Sequence, residues 1–160
     1  MKSARALLLA AVVIMVSATS AFADITGFIG ANTTPESRHT QGFSVGAGML
    51  LFGFEFEYAS TPDDPTELAP SLNTGSGNFL LQTPFAIVGF QPYFTTGAGL
   101  YRERLGVREA TGFVLNTGGG VKISLVGPVR LRIDYRVFKL GDEALESPVQ
   151  RIYVGLNLKF

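Results

Sequence analysis

The side chains best suited to chemistry in this sequence are charged residues spaced by two within apolar runs. Glu55 and Glu57 flank Phe56, while Arg130, Arg132, Asp134 and Arg136 alternate with Leu131, Ile133 and Tyr135. Glu103, Lys122, Arg151 and Lys159 stand in runs of the same kind. On one face of a strand, such groups either pair with one another or line a polar channel. Acid–base catalysis would need a histidine, and the chain has a single one, His39, beside Ser37, Arg38 and Thr40. A general base must be held within hydrogen-bond reach of its nucleophile. A polar loop tip holds it poorly, so His39 reads as a solvated loop residue and no catalytic residue is assigned. Asp63, Asp64 and Glu67 carry the oxygen ligands that calcium takes, but they lie among Pro62, Pro65 and Pro70 and read as a solvated acidic loop rather than a metal site. Gly118-Gly119-Gly120 lacks the Lys-Ser/Thr and the helix pattern of a phosphate loop, so it reads as packing. No cofactor is implied.

The elements that position these residues follow from the rest of the chain. Met1 to Arg5 is a short basic opening, Ala6 to Val16 is unbroken apolar sequence, and Ser17 to Ala23 ends in Ala21-Phe22-Ala23. The apolar run is shorter than the roughly 20 residues a spanning helix needs. Residues 1–23 therefore read as a signal peptide cleaved after Ala23, leaving residues 24–160 as one domain. Two of the 13 basic residues and none of the 13 acidic residues fall in the leader, which leaves a net charge of −2 on residues 24–160. That charge makes no case for nucleic-acid binding. The chain has no cysteine, hence no disulfide and no lipid anchor through an N-terminal Cys.

Residues 24–160 show a period of two broken by Gly, Pro, Asp and Ser, the mark of strands. In the clearest run, Val129, Leu131, Ile133, Tyr135 and Val137 share one face and Arg130, Arg132, Asp134 and Arg136 the other. In the last run, Ile152, Val154, Leu156, Leu158 and Phe160 oppose Arg151, Tyr153, Gly155, Asn157 and Lys159. Phe43 to Leu51, Phe54 to Tyr58, Pro92 to Arg104 and Phe113 to Leu125 alternate in the same way, with Ser44, Gly46, Gly48, Asn116, Gly118, Gly120, Lys122 and Ser124 on the polar or small face. Asp24 to Asn32 and Asn78 to Thr83 complete eight runs. Thr33–Gln41, Thr61–Gly77, Leu105–Gly112 and Gly141–Gln150 read as polar loops. Phe52-Gly53 and Val126-Gly127-Pro128 read as tight turns, and Pro84 to Gln91 as a longer apolar link. Short turns at one end and longer loops at the other are the asymmetry of an outer-membrane barrel. The fold class expected is all-β: an eight-stranded antiparallel, up-and-down transmembrane β-barrel with short periplasmic turns, longer extracellular loops and both termini at the turn end.

A soluble sandwich or a lipocalin-like barrel shares the period of two. The choice rests on a charged face that suits a narrow lumen, on glycines crowding that face, and on aromatics near strand ends. Tyr58, Tyr101, Phe113 and Tyr135 fall toward the loops, and Phe54, Phe94 and Phe160 toward the turns, as interfacial girdles require. Glu55 and Glu57 belong to the third strand and Arg130, Arg132 and Arg136 to the seventh, which are opposite walls of an eight-stranded barrel. The expected lumen network is Glu55, Glu57, Glu103, Lys122, Arg130, Arg132, Asp134, Arg136, Arg151 and Lys159.

The chain's end, Tyr153-Val154-Gly155-Leu156-Asn157-Leu158-Lys159-Phe160, resembles the assembly signal of outer-membrane proteins. Tyr153, Gly155, Leu158 and Phe160 carry the pattern, and recognition by strand addition suits it. With Gln91-Pro92-Tyr93 through Gly97-Ala98-Gly99-Leu100, Asn116 through Lys122, and Leu131 through Arg136, the chain resembles the small outer-membrane barrels that include the OmpA transmembrane domain, OmpX and the opacity proteins, often grouped as a porin family. The resemblance implies a monomer in the bacterial outer membrane, in contact with outer-membrane lipid and inserted by the barrel-insertion machinery through its last strand. It brings no shared catalytic residue and names no extracellular partner. The function expected is a structural or loop-mediated interaction role with a charge-plugged lumen. A narrow channel or uptake barrel for small solutes is the alternative, followed by an adhesin or a lipid-modifying enzyme.

Overall fold

The computed structural model describes residues 22–34, 36–64, 66 and 68–160. The expected leader lies almost wholly outside the described residues, as does Glu67. Eight strands follow one another in chain order: β1 (Phe22–Asn32), β2 (Arg38–Met49), β3 (Phe52–Thr61), β4 (Ser71–Gln82), β5 (Phe90–Leu105), β6 (Arg108–Val126), β7 (Val129–Leu140) and β8 (Val149–Lys159). Each pairs antiparallel with its neighbour, and β1 pairs with β8 to close the barrel. Closure gives each strand a neighbour on both sides along the barrel wall. None of the described residues lies in a helix.

Alternation decides what each wall presents. On the middle of the strands the apolar parity faces outward, with Ile29 63% and Phe54 69% exposed, together with Val45, Phe56, Leu100, Leu115, Val154 and Leu156. The opposite parity is buried and polar, including Thr26, Ser44, Asn78, Thr95, Asn116 and Asn157. Aromatics cluster on the outer face, as where Phe79 meets Phe52 and Phe54 with centroids 5.7 and 5.5 Å apart.

Several boundaries differ from the sequence expectation. The first turn is Leu50-Leu51, with Leu50 at φ 49°, rather than Phe52-Gly53. Gly53 instead sits within β3 opposite Gly48. β4 starts at Ser71, so the second loop is shorter than Thr61–Gly77. Its first half presents Leu72, Thr74 and Ser76 inward and Asn73, Gly75 and Gly77 outward, a polarity contrast too weak to read as alternation. The segment Leu105–Gly112 is not a loop. β5 and β6 continue to a two-residue turn at Gly106-Val107, which makes them the longest strands, at 16 and 19 residues. Arg38 and His39 lie in β2, and Val149 and Gln150 in β8, so those loops are shorter as well. Ser124 keeps the parity of buried Lys122 but is exposed at the turn end, next to a register shift between Ser124 and Val126. Tyr101 is buried inside the barrel and belongs to no outer girdle.

Candidate functional site

β3 and β7 are four strands apart in a closed ring of eight, so they stand on opposite walls. The long side chains of one meet those of the other across the lumen. Arg132 reaches Glu55 through both terminal nitrogens; its Nη1 lies against Oε2 and its Nη2 is 3.2 Å from Oε1. Arg136 Nη2 lies 2.9 Å from Glu55 Oε1 and 3.3 Å from Glu57 Oε2. Asp134, between the two arginines in sequence, accepts from Arg132 Nη2 at 3.1 Å and from Arg136 Nε at 2.9 Å. Arg151 on β8 adds a contact of 3.5 Å to Glu57. Three guanidinium and three carboxylate groups thus form one neutral layer, and none is more than 4% exposed.

Neutral groups add hydrogen bonds to the layer, as buried charges require, although Arg136 Nη1 is buried with no hydrogen-bond partner among the described residues. Ser44 Oγ donates to Glu55 Oε2 at 3.0 Å and Tyr153 Oη to Glu57 Oε2 at 3.0 Å. Tyr93 Oη donates to Asp134 and accepts from Arg132 Nε at 2.7 Å. The Arg132 guanidinium also lies 4.9 Å from the Tyr93 ring centroid and 5.6 Å from that of Tyr153. Arg151 Nε donates to Asn32 Oδ1 at 2.9 Å, and its terminal nitrogens lie 3.2 Å from Thr74 Oγ1. Gly120 leaves the room for Tyr93: a Cβ there would fall 2.1 Å from the Ile133 carbonyl oxygen and 2.6 Å from the Tyr93 hydroxyl.

The remaining expected lumen residues are distributed elsewhere. Lys122 is buried and pairs with Asp24 at 2.6 Å, a partner the sequence reading did not single out. Arg130 donates to Gln91 Oε1 at 2.7 Å. Lys159 lies over the Phe22 ring. Glu103 is buried toward the loop end, where it accepts from the Leu145 amide at 2.7 Å and stands apart from the six-charge layer. Tyr93, Asn32, Ser44 and Thr74 were also not anticipated; inward parity was the available signal for Tyr93, Asn32 and Ser44, whereas Thr74 stands in a stretch of weak alternation.

Above the ionic layer, toward the loops, the lumen becomes apolar. Leu72, Tyr101, Ala110, Val114, Phe138, Leu140 and Val149 pack into one buried cluster. Arg151 joins the two zones, its guanidinium lying 4.3 Å from the Phe138 ring centroid. Arg38 is buried near this end and donates to the Pro70 carbonyl.

Of the C-terminal residues, Tyr153 stacks on Phe28 with centroids 4.0 Å apart and Gly155 packs against β1, while Leu158 and Phe160 are exposed. The Phe160 amide donates to the Ala23 carbonyl at 2.8 Å, next to the expected cleavage point. His39 is not in a loop but at the start of β2, exposed on the outer face opposite Ala31. Asp64 Oδ1 accepts from the Thr66 amide at 3.0 Å. Among the described residues, no group of three or more acidic or histidine side chains is placed to hold a metal ion.

No protein-family model matches the chain. No curated protein matches it by sequence. Solved structures do share the fold. The N-terminal β-barrel domain of Pseudomonas aeruginosa OprF superposes with a TM-score of 0.66 at 16% identity, covering 87% of this chain and 97% of that one. Neisserial surface protein A gives 0.61 at 18% identity, covering 88% and 96%. The outer membrane enzyme PagL gives 0.55 at 14% identity, covering 84% and 98%. The architecture is therefore that of the small eight-stranded outer-membrane barrels, a fold that these structures carry with different roles.

Proposed function

We propose that this chain is a monomeric outer-membrane barrel with a sealed lumen, serving a structural or loop-mediated interaction role. The observation that carries the reading is the buried neutral layer of Arg132, Arg136, Arg151, Glu55, Glu57 and Asp134, which crosses the lumen beneath an apolar cluster. Burying three guanidinium groups is costly unless each is paired and hydrogen-bonded, and here each is. A conducting pore would leave such groups hydrated and exposed. The exposed belt of Ile29, Val45, Phe56, Leu115 and Val154 supports a lipid-facing wall, since an apolar band around a barrel with a charged interior inverts the arrangement of a soluble protein.

In the same reading, residues 1–23 are a leader removed after Ala23, and the last strand, ending in Leu158 and Phe160, is the edge that the insertion machinery engages. The reading assigns no catalysis, as His39 stands on the outer face and no hydrogen bond or ion pair among the described residues orients its ring. Conductance in planar bilayers tests the role: low or absent current is expected, and large steady channels would overturn the sealed lumen in favour of a narrow pore. Fractionation after expression in a Gram-negative host tests the location. Recovery as soluble periplasmic protein would overturn it.

A further inference from the structure

Below the ionic layer, at the turn end, the lumen opens into a cavity of about 350 Å3 lined by Asp24, Gly46, Gly48, Lys122, Arg130 and Lys159 among others. Small-molecule sites range over about 300–1,000 Å3, so the space suits a compact solute. Its charge is unbalanced. Glu55 borders the cavity, but its carboxylate is already engaged by Arg132, Arg136 and Ser44. Asp24 is the other carboxylate on the wall, and it pairs with Lys122. Arg130 is held by a neutral amide, and that amide is anchored in turn, because Gln91 Nε2 donates to the Thr83 carbonyl at 2.6 Å. The Lys159 ammonium lines the same cavity and has no carboxylate within ion-pair distance among the described residues; the Phe22 ring 3.5 Å from it belongs to the segment that the proposed cleavage after Ala23 removes. Arg130 therefore reaches this wall fixed in place, and neither Arg130 nor Lys159 is paired with a carboxylate among the described residues.

The β2 part of the wall carries no side chain at Gly46 and Gly48. A Cβ at Gly48 would come within 2.9 Å of Gln82 Nε2, and one at Gly46 within 2.9 Å of the Phe54 carbonyl oxygen and 3.2 Å of Asp24 Oδ1, so larger residues at these cavity-lining positions would crowd the wall. The ionic layer and the apolar cluster close the far side, so a solute enters and leaves by the turn end. Low-dielectric walls concentrate the field of such a cationic pocket, and a guanidinium offers paired donors to a planar or tetrahedral oxyanion.

We infer that this cavity is a binding site for a compact multivalent anion, a small phosphate-type or polycarboxylate solute, held by Lys122, Arg130 and Lys159 and reached from the periplasmic side. The site goes beyond the sealed-lumen reading and is tested separately from it. Protein extracted from the outer membrane into a zwitterionic detergent is titrated calorimetrically with pyrophosphate and with citrate at fixed ionic strength, with chloride as control. Saturable one-site binding of at least one probe is expected, with shifts of the Gly46 and Gly48 amide resonances. The Arg130→Gln/Lys159→Gln double variant, shown to be folded by its heat-modifiable gel mobility, should bind about tenfold or more weakly. The tighter of the two probes identifies the oxyanion class. A non-saturating response equal to that of chloride, or unchanged affinity in the folded double variant, would overturn the site. Bilayer conductance reports on the seal alone, so loss of either reading is seen without the other.

Discussion

Glu55→Ala probes the ionic layer most directly. Glu55 takes contacts from both Arg132 and Arg136 and accepts from Ser44, so its removal strips three donors at once. The layer would then hold three cations against Glu57 and Asp134. Removing one partner of a buried ion pair costs about 3–5 kcal/mol, chiefly because the other charge is left buried. Here both arginines keep Asp134, at 3.1 and 2.9 Å, and Arg136 keeps Glu57 at 3.3 Å. The loss should therefore fall at the lower end, about 3 kcal/mol. Glu55→Gln keeps the volume and an acceptor and should cost less. The assay is urea titration in lipid vesicles, followed by the fraction that migrates as the compact band in unheated gels. Glu109→Ala is the control: Glu109 pairs with Arg102 at 2.8 Å on the exposed outer face, and no measurable change is expected there. A loss at Glu55 below about 1 kcal/mol is what a solvated surface pair gives. That result would refute the claim that the layer is dry and closed.

Other perturbations separate the faces and the folding route. Ile133→Arg places a charge on the exposed apolar parity of β7 and should cost about 2–4 kcal/mol in the same titration if that face meets lipid; a neutral result would mean it meets water. Gly120→Ala puts a methyl group against the Ile133 carbonyl and the Tyr93 hydroxyl, and overpacking of this kind should cost about 1–3 kcal/mol; full stability would show that the β6–β7 register is wrong. Leu50→Asn keeps the left-handed turn conformation at lower strain and should gain up to about 1 kcal/mol; a loss would indicate that the exposed Leu50 side chain contributes to membrane contact. Deletion of Phe160 should slow appearance of the compact band in cells, with unchanged kinetics counting against recognition of the last strand.

How legible the barrel is depends on the amplitude of alternation. β7 is readable because Arg, Asp and Arg stand against Ile, Tyr and Val. Its parity carries Arg132, Asp134 and Arg136 into the lumen as expected from their spacing. The first half of β4 is not readable, because Thr74 and Ser76 on the inner face oppose Asn73 and Gly75 on the outer face, and neither parity is apolar. Glycine misled in one turn. Gly53 reads as a turn residue, yet it serves as a small inward residue of β3, while Leu50 takes the positive φ of the turn. Partner choice was the least legible feature. Parity puts Arg130, Arg132 and Arg136 together on the wall facing Glu55 and does not choose among them; strand tilt in a barrel shifts opposite walls relative to one another, and Arg132 and Arg136 are the two that reach the carboxylate.

The misplacement of Tyr101 has a different origin, and it bears on where the membrane ends. Outward parity is apolar along the middle of β5 and β7, at Phe94, Ala98, Leu100, Ile133 and Tyr135, and then changes sign. Arg102, Arg104 and Lys139 hold the same outward parity nearer the loops, while Tyr101, Phe138 and Leu140 turn inward. The period of two is unbroken across this change, since each strand keeps its pleat. On the proposed reading, what reverses is the medium outside. A wall facing hydrocarbon selects apolar residues outward and leaves the interior for charges, whereas a wall facing water selects the ordinary soluble arrangement with an apolar core. The ionic layer and the apolar cluster are then the interiors that suit these two surroundings, stacked in one lumen. On this argument the boundary of the proposed lipid zone lies near Tyr58, Phe113 and Tyr135, the exposed aromatics just below the sign change. The paired ends of β5 and β6, with Arg102, Arg104 and Glu109 on their outer face, would then stand beyond the proposed lipid zone as a hairpin.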